Sequence, residues 1–137
     1  MIHTTRYLRP TLWLAALLSA GLPPPALAQT PDALLASYAQ QAGQRPDPAQ
    51  GRQLFTSQHG REWRCASCHG ASPTQTGQHA ATGRPIQPLA PAFNPERFTD
   101  AAKADKWFCR NCKDVLGREC SHAEKANVLA WLLTLKP

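Results

Sequence analysis

Apolar residues along this 137-residue chain form one early run, then fall into helical spacings separated by proline-rich sequence. The run, Leu12 to Leu22, follows Arg6 and Arg9 and precedes Ala26-Leu27-Ala28, the small-residue pattern of a leader cleavage site. It predicts a secretory signal peptide over residues 1–28, with one domain over residues 29–137. A retained membrane anchor is the alternative, disfavoured because the run is shorter than the roughly 20 apolar residues a span needs. Thr30-Pro31-Asp32 then makes a helix start: the hydroxyl can accept from an early backbone N–H, and a proline in the first turn sacrifices no hydrogen bond. Leu34, Leu35 and Tyr38 give this helix its apolar stripe, and Gly43 is placed to end it. A second start at Asp47-Pro48 leads into Gly51, Leu54 and Phe55, where a glycine four residues before an aromatic lets another helix cross closely.

Residues 70–97 break the pattern. Pro73, Pro85, Pro88, Pro91 and Pro95, with Gly77 and Gly83, predict an irregular loop, and so long a loop needs something to wrap. A short helix is expected over Thr99 to Phe108. The last helix opens at Ser121 with Glu124 three residues on, a capping box, and Val128, Trp131, Leu132 and Leu135 then share one face. Internal repeats and alternating strand patterns are absent from the sequence. The pattern is that of an all-α domain.

Chemistry enters with Cys65-Ala66-Ser67-Cys68-His69. Two thiols two residues apart suit the two vinyl groups of one haem, and the adjacent imidazole falls over the iron. The leader suits this reading, because exported chains meet an oxidising, periplasm-like compartment. The chain has one methionine, Met1, so leader cleavage leaves none to bind the iron opposite His69. That vacated role decides the function: a strong sixth ligand makes an electron carrier, whereas a weak one leaves the iron accessible to small gases. Cleavage also removes Arg6 and Arg9 from a formal net charge of +6. The modest positive balance fits an acidic redox partner and an ordinary solvated surface equally well, and does not call for nucleic acid.

Other uses of the five cysteines are weaker. Cys65, Cys68, Cys109 and Cys112 outline a four-cysteine zinc site, but the pairs lie far apart and His69 stands where haem attachment requires it. A thioredoxin-like pair lacks the strand and helix alternation such a motif needs. A second haem on Cys109-Arg110-Asn111-Cys112-Lys113 would leave so small a domain little material to enclose two haems. A Cys112–Cys120 bridge closes a short loop, with a chain-entropy estimate of roughly 2 to 3 kcal/mol. Pairing of Cys109 with either partner stays open from sequence.

The candidates opposite His69 are His59, His79, His122, the lysines and Asn111. His59 and His79 are tethered near the attachment sequence and would have to reach around the ring, and His122 begins the last helix. Asn111 follows the short helix carrying Trp107 and Phe108 and precedes Cys112. An asparagine there is ordinarily a turn residue.

Residues 84–135, especially Pro88-Leu89-Ala90-Pro91, Arg97-Phe98-Thr99-Asp100, Trp107, Arg110-Asn111-Cys112, Gly117-Arg118-Glu119-Cys120 and Glu124-Lys125-Ala126, resemble the family of the sphaeroides haem protein, small oxygen-binding c-type cytochromes. The resemblance extends over nearly the whole mature chain. It implies a class I cytochrome c fold around one covalent haem, in which the terminal helices cross, here Gly51 and Phe55 against Trp131. It implies that Asn111 binds ferric iron and leaves on reduction, opening a site for oxygen or nitric oxide, with a Cys112–Cys120 disulfide beside it. Cys109 departs from the family pattern. The family's electron partners, a dihaem cytochrome c and a membrane cytochrome b, are implied in the same way.

Residue chemistry agrees with such a switch. A neutral amide oxygen is a hard, weak donor that holds ferric iron better than ferrous iron. The freed amide can donate to a bound ligand, Trp107 and Phe108 can limit water entry, and Arg84, Arg97 or Arg110 can pair with propionates. The expectation is a periplasmic monohaem cytochrome with a redox-gated ligand site. The rival is an electron carrier with two histidine ligands, and a third class is a colourless zinc module.

Overall fold

The computed structural model describes residues 29–137, so the expected leader lies outside the described residues. Five helices carry the chain: α1 Pro31–Ala42, α2 Pro48–Thr56, α3 Cys65–His69, α4 Ala101–Leu116 and α5 His122–Thr134. Both proline-led starts form as the sequence predicts. The Thr30 hydroxyl accepts from the Ala33 N–H at 3.1 Å, and the Asp47 carboxylate accepts from Ala49 and Gln50 at the head of α2. At α5, Ser121 and Glu124 cap each other's backbone N–H groups reciprocally.

Helix α5 is the centre of the fold, packed closely against both α1 and α2. Its first cluster joins Ala126 and Leu129 to Leu34, Tyr38 and Ala104, and its second joins Val128, Trp131 and Leu132 to Phe55. The expected single apolar face is too narrow a description. Residues Ala126 through Leu132 are all buried, because α5 has helices on more than one side. The expected α2 crossing is present: the Phe55 and Trp131 ring centroids lie 5.0 Å apart, and a Cβ at Gly51 would collide with the Asn127 carbonyl. Glycine is required there by close approach of two backbones.

Two expectations need correction. The long loop contains a minimal antiparallel pair, β1 Gly77–Gln78 with β2 Pro85–Ile86, in the register Gly77↔Ile86 and Gln78↔Pro85. Two residues per strand are too few to leave an alternating signature. The helix expected to stop at Phe108 runs to Leu116, capped at its start by Asp100 and ended by Gly117 with φ 73°. Val115 supplies the buried anchor that extends it, so Asn111 lies within a helix and does not follow one.

Candidate haem site

The attachment sequence folds as a single helical turn. Arg64 precedes it in extended backbone, its N–H donating to Ser67 Oγ at 3.2 Å, and the Gly70 N–H closes the turn on the Ala66 carbonyl at 3.0 Å. Cys65 and Cys68 are both unpaired thiols. They face different surroundings: Cys65 packs against the Phe55, Val128, Trp131 and Leu132 cluster, whereas Cys68 Sγ lies 3.3 Å from the Ala80 N–H. Burial pushes the Cys65 thiol up to about 11. Behind the turn, a Cβ at Gly77 would strike the Cys68 carbonyl, so strand β1 can lie against α3 only with glycine at that position.

His69 is held between this turn and the core, its ring centroid 5.9 Å from that of Phe55. Burial, with a further push from the Arg97 guanidinium, lowers its pKa to about 4. The imidazole is therefore neutral at physiological pH, the form a metal ligand needs. Arg97 donates from Nε to the Pro88 carbonyl at 2.9 Å and from Nη2 to the Gln87 carbonyl at 2.8 Å. Its fork thus fastens the proline-rich loop, whose other anchor is the buried Pro73 carbonyl, accepting from Leu89 and Ala90. Of the three arginines expected to pair with propionates, Arg97 is half-buried and its charge acts on His69, Arg84 is exposed, and Arg110 stands over the Trp107 ring at 5.8 Å.

Helix α4 carries the remaining candidates, Trp107, Phe108 and Asn111. Unlike α1 and α2, it makes no extensive close backbone approach to another helix among the described residues. It reaches the core through side chains, chiefly Ala104 and Phe108, and Phe108 packs against both clusters, including the one that contains Cys65 and Leu89. Phe98 does the same from the turn into α4, where it adopts φ 61°, the left-handed region an L side chain rarely enters. Asn111 lies three residues beyond Phe108, one turn along the face that also holds Ala104, Cys112 and Val115, and is half-buried. Phe108 is directed inward as expected, whereas Trp107 is 46% exposed on the edge of the helix. Cys112 and Cys120 lie in disulfide geometry with Cα atoms 5.6 Å apart, tying the last turns of α4 to the entry of α5.

The histidines divide clearly. His59 Nε2 is 2.8 Å from the Leu54 carbonyl, His79 Nδ1 accepts from the Thr82 N–H at the hairpin turn, and His122 is exposed at the first position of α5. The residues present fit a covalently bound haem: paired free thiols beside a neutral histidine, half-buried Phe98, Phe108 and Leu89, and a helix that touches the core through side chains. A zinc module fits poorly, since no cluster of three or more histidine, cysteine or acidic side chains is placed for a metal among the described residues.

Sequence reading missed two polar elements that hold the helices together. The Asn127 side chain, 5% exposed, accepts from the Asp47 N–H at 2.7 Å and so ties α5 to the head of α2. Its signal was available as the polar interruption of the apolar run Ala126 to Leu133. Tyr38 donates to Asp105, which also receives the Lys125 ammonium at 2.7 Å, joining α1, α4 and α5. Nothing in spacing alone pairs these three residues.

A model of a domain of unknown function, DUF1924, matches residues 41–132. The cytochrome c-type protein SHP of Cereibacter sphaeroides is 48% identical over 122 residues, spanning 85% of this chain and 94% of that protein. The structure of oxidized SHP, described as an oxygen binding cytochrome c, superposes with a TM-score of 0.74 at 45% identity, covering 78% of this chain and 98% of the other. Oxidized cytochrome c'' from Methylophilus methylotrophus gives a TM-score of 0.69 at 37% identity, over 78% of this chain and 95% of that one. The attachment turn, the mainly helical cytochrome c fold and these likenesses agree: the chain belongs to the family of SHP and cytochrome c'', c-type cytochromes carrying one covalently attached haem.

Proposed function

We propose that this chain is an exported monohaem cytochrome that accepts electrons and binds a small diatomic ligand, oxygen or nitric oxide, at a site guarded by Asn111. Cys65 and Cys68 would hold the haem through thioether links, His69 would bind its iron permanently, and Asn111 would bind it displaceably. When bound, the haem supplies the electron-accepting iron and the coordination position that the small ligand takes. All other parts of the switch belong to the protein.

The observation that carries this reading is the position of Asn111, on the inward face of α4 one turn past Phe108, while each other histidine considered for that role is held by backbone or faces outward. An amide oxygen is a weak donor suited to the more highly charged ferric iron, so electron arrival favours its departure. The released Nδ2 group can donate a hydrogen bond towards the incoming ligand, and the Phe98 and Phe108 rings restrict water on that side. A Cys112–Cys120 disulfide holds the backbone directly after Asn111, so that the side chain can move while the helix stays fixed. The leader over residues 1–28 places the protein in a periplasm, with a dihaem cytochrome c and a membrane cytochrome b as electron donors.

The bis-histidine reading would need His59, His79 or His122 to abandon its present place and cross to α4. Replacing Asn111 with alanine tests the choice. The variant should keep its haem and show altered ferric optical and spin-resonance spectra, and a ferric spectrum identical to that of the wild type would remove Asn111 from the iron.

A further inference from the structure

The outer face of α4 carries a row of cations that the rest of the described protein leaves largely unpaired. Lys103, Lys106, Trp107, Arg110 and Lys113 recur at three- and four-residue spacing, so they share the side of the helix opposite its buried Ala104, Cys112 and Val115. At 1.5 Å per residue the row runs for about 15 Å. All five side chains are exposed, and Trp107, at 46%, is the only exposed large hydrophobic residue among the described residues. The Arg110 guanidinium stands 5.8 Å over its ring. Lys103, Lys106 and Arg110 enter no ion pair among the described residues, whereas Lys113 meets Glu119 at 3.1 Å. Past the end of the helix Arg61 continues the row, its side chain lying beside Gly117. Carboxylates are few here: Asp100 caps the helix, Glu119 is engaged by Lys113, and Asp114 alone remains.

We propose that this face of α4 is the docking surface for the acidic face of a partner redox protein that delivers the electron. The proposal rests on the reading of the chain as an electron acceptor, but not on the assignment of Asn111. Tryptophan and arginine are the side chains that most often anchor interfaces, because each buries a large planar group with little freedom to lose. The unpaired cations around Trp107 keep their charge available, so carboxylates on an approaching protein are attracted before contact and matched on contact. Other occupants suit the face less well. A second copy of this chain would bring like charges together along the row. A membrane surface calls for several apolar side chains at one level, and Trp107 stands alone. The place on the fold also suits electron delivery. Phe108, next to Trp107 in the chain, packs inward on the cluster of Phe55, Val128, Trp131 and Leu132, as Cys65 does. A partner on the outer face is therefore separated from that cluster by one helix thickness, about 10 Å.

Reduction kinetics of the haem-loaded ferric protein, followed without oxygen, test this. The probes are a reduced plant-type ferredoxin, a small acidic protein, and reduced riboflavin, a small molecule that needs no docking face. Wild type is compared with Trp107→Ala and with a variant carrying Lys103→Gln, Lys106→Gln and Arg110→Gln. A control carries Arg45→Gln, Arg52→Gln and Lys136→Gln, exposed cations outside α4 whose loss changes the net charge equally. At low ionic strength the ferredoxin rate should fall about tenfold in the α4 variant and less than about twofold in the control, and salt should close the difference. Trp107→Ala should lower the ferredoxin rate at every ionic strength, because an apolar anchor is not screened. Riboflavin rates should stay equal throughout. Equal ferredoxin rates in wild type and the α4 variant, or equal losses in that variant and the control, would overturn the proposal while leaving the chain an electron acceptor. So would wild-type binding to phosphatidylserine vesicles that the α4 variant loses while its ferredoxin rate is unchanged, which would assign the face to a membrane. Reduction by neither probe would remove the electron-accepting reading and the docking surface with it.

Discussion

At the scale of single residues, Asn127 carries more than its position in an apolar run suggests. Its side-chain oxygen satisfies the Asp47 N–H at the head of α2, and its backbone carbonyl is the group against which Gly51 packs. Asn127→Ala should leave that donor without its partner at a cost of about 1 to 3 kcal/mol, read as a lower denaturant midpoint with an unchanged slope. An unchanged midpoint would mean that water replaces the bond freely. Much at this scale was legible in advance. The spacing of Cys65, Cys68 and His69 pointed to one covalent haem, and Gly51 and Phe55 pointed to the helix crossing at Trp131. Asn127, Arg97 and the Tyr38, Asp105 and Lys125 group depend on contacts between distant segments, which spacing does not encode.

Among the elements, α4 is the one whose extent matters most. Asn-Cys-Lys after Phe108 resembles a turn by composition, yet Val115 finds a buried site and the helix continues to Leu116, where tertiary packing outweighs local preference. Asn111 thereby takes a defined orientation on the helix that a turn residue lacks. The hairpin in the proline-rich loop was hidden for a different reason: Gly77 is dictated by the α3 backbone behind it, not by strand propensity. Helix α5 depends on a cap that can be titrated. Arg118 donates to both Glu124 oxygens, at 2.8 and 2.7 Å, and the Ser121 N–H donates at 2.8 Å. The Arg118 hydrogen bond, helped by the Ser121 groups, outweighs partial burial and holds the Glu124 carboxyl below its ordinary value. A folded-state pKa below the unfolded one gives stability that is present above the unfolded value of about 4.3 and is lost as pH falls through the folded value. Glu124→Gln should therefore cost on the order of 1 kcal/mol at neutral pH and flatten the acid limb of the stability curve. A parallel shift of the whole curve would contradict this origin.

On the scale of the whole molecule, α5 packs backbone-close against α1 and α2, while α4 joins the same core through side chains, chiefly Ala104 and Phe108. This division fits a small domain in which a covalent cofactor adds to the buried apolar area. Export and attachment make one joint prediction: the protein isolated from a periplasm has the intact mass of residues 29–137 plus a single haem, and a retained leader or a second haem would contradict it. Six-coordinate iron with two strong ligands would leave the same fold functioning as a simple carrier, so the decisive question concerns the reduced state. The most direct measurement is the optical spectrum of the ferrous protein before and after adding carbon monoxide. Release of Asn111 on reduction predicts a clear spectral change as carbon monoxide takes the opened position, whereas a low-spin ferrous spectrum that carbon monoxide leaves unaltered would contradict a redox-gated site.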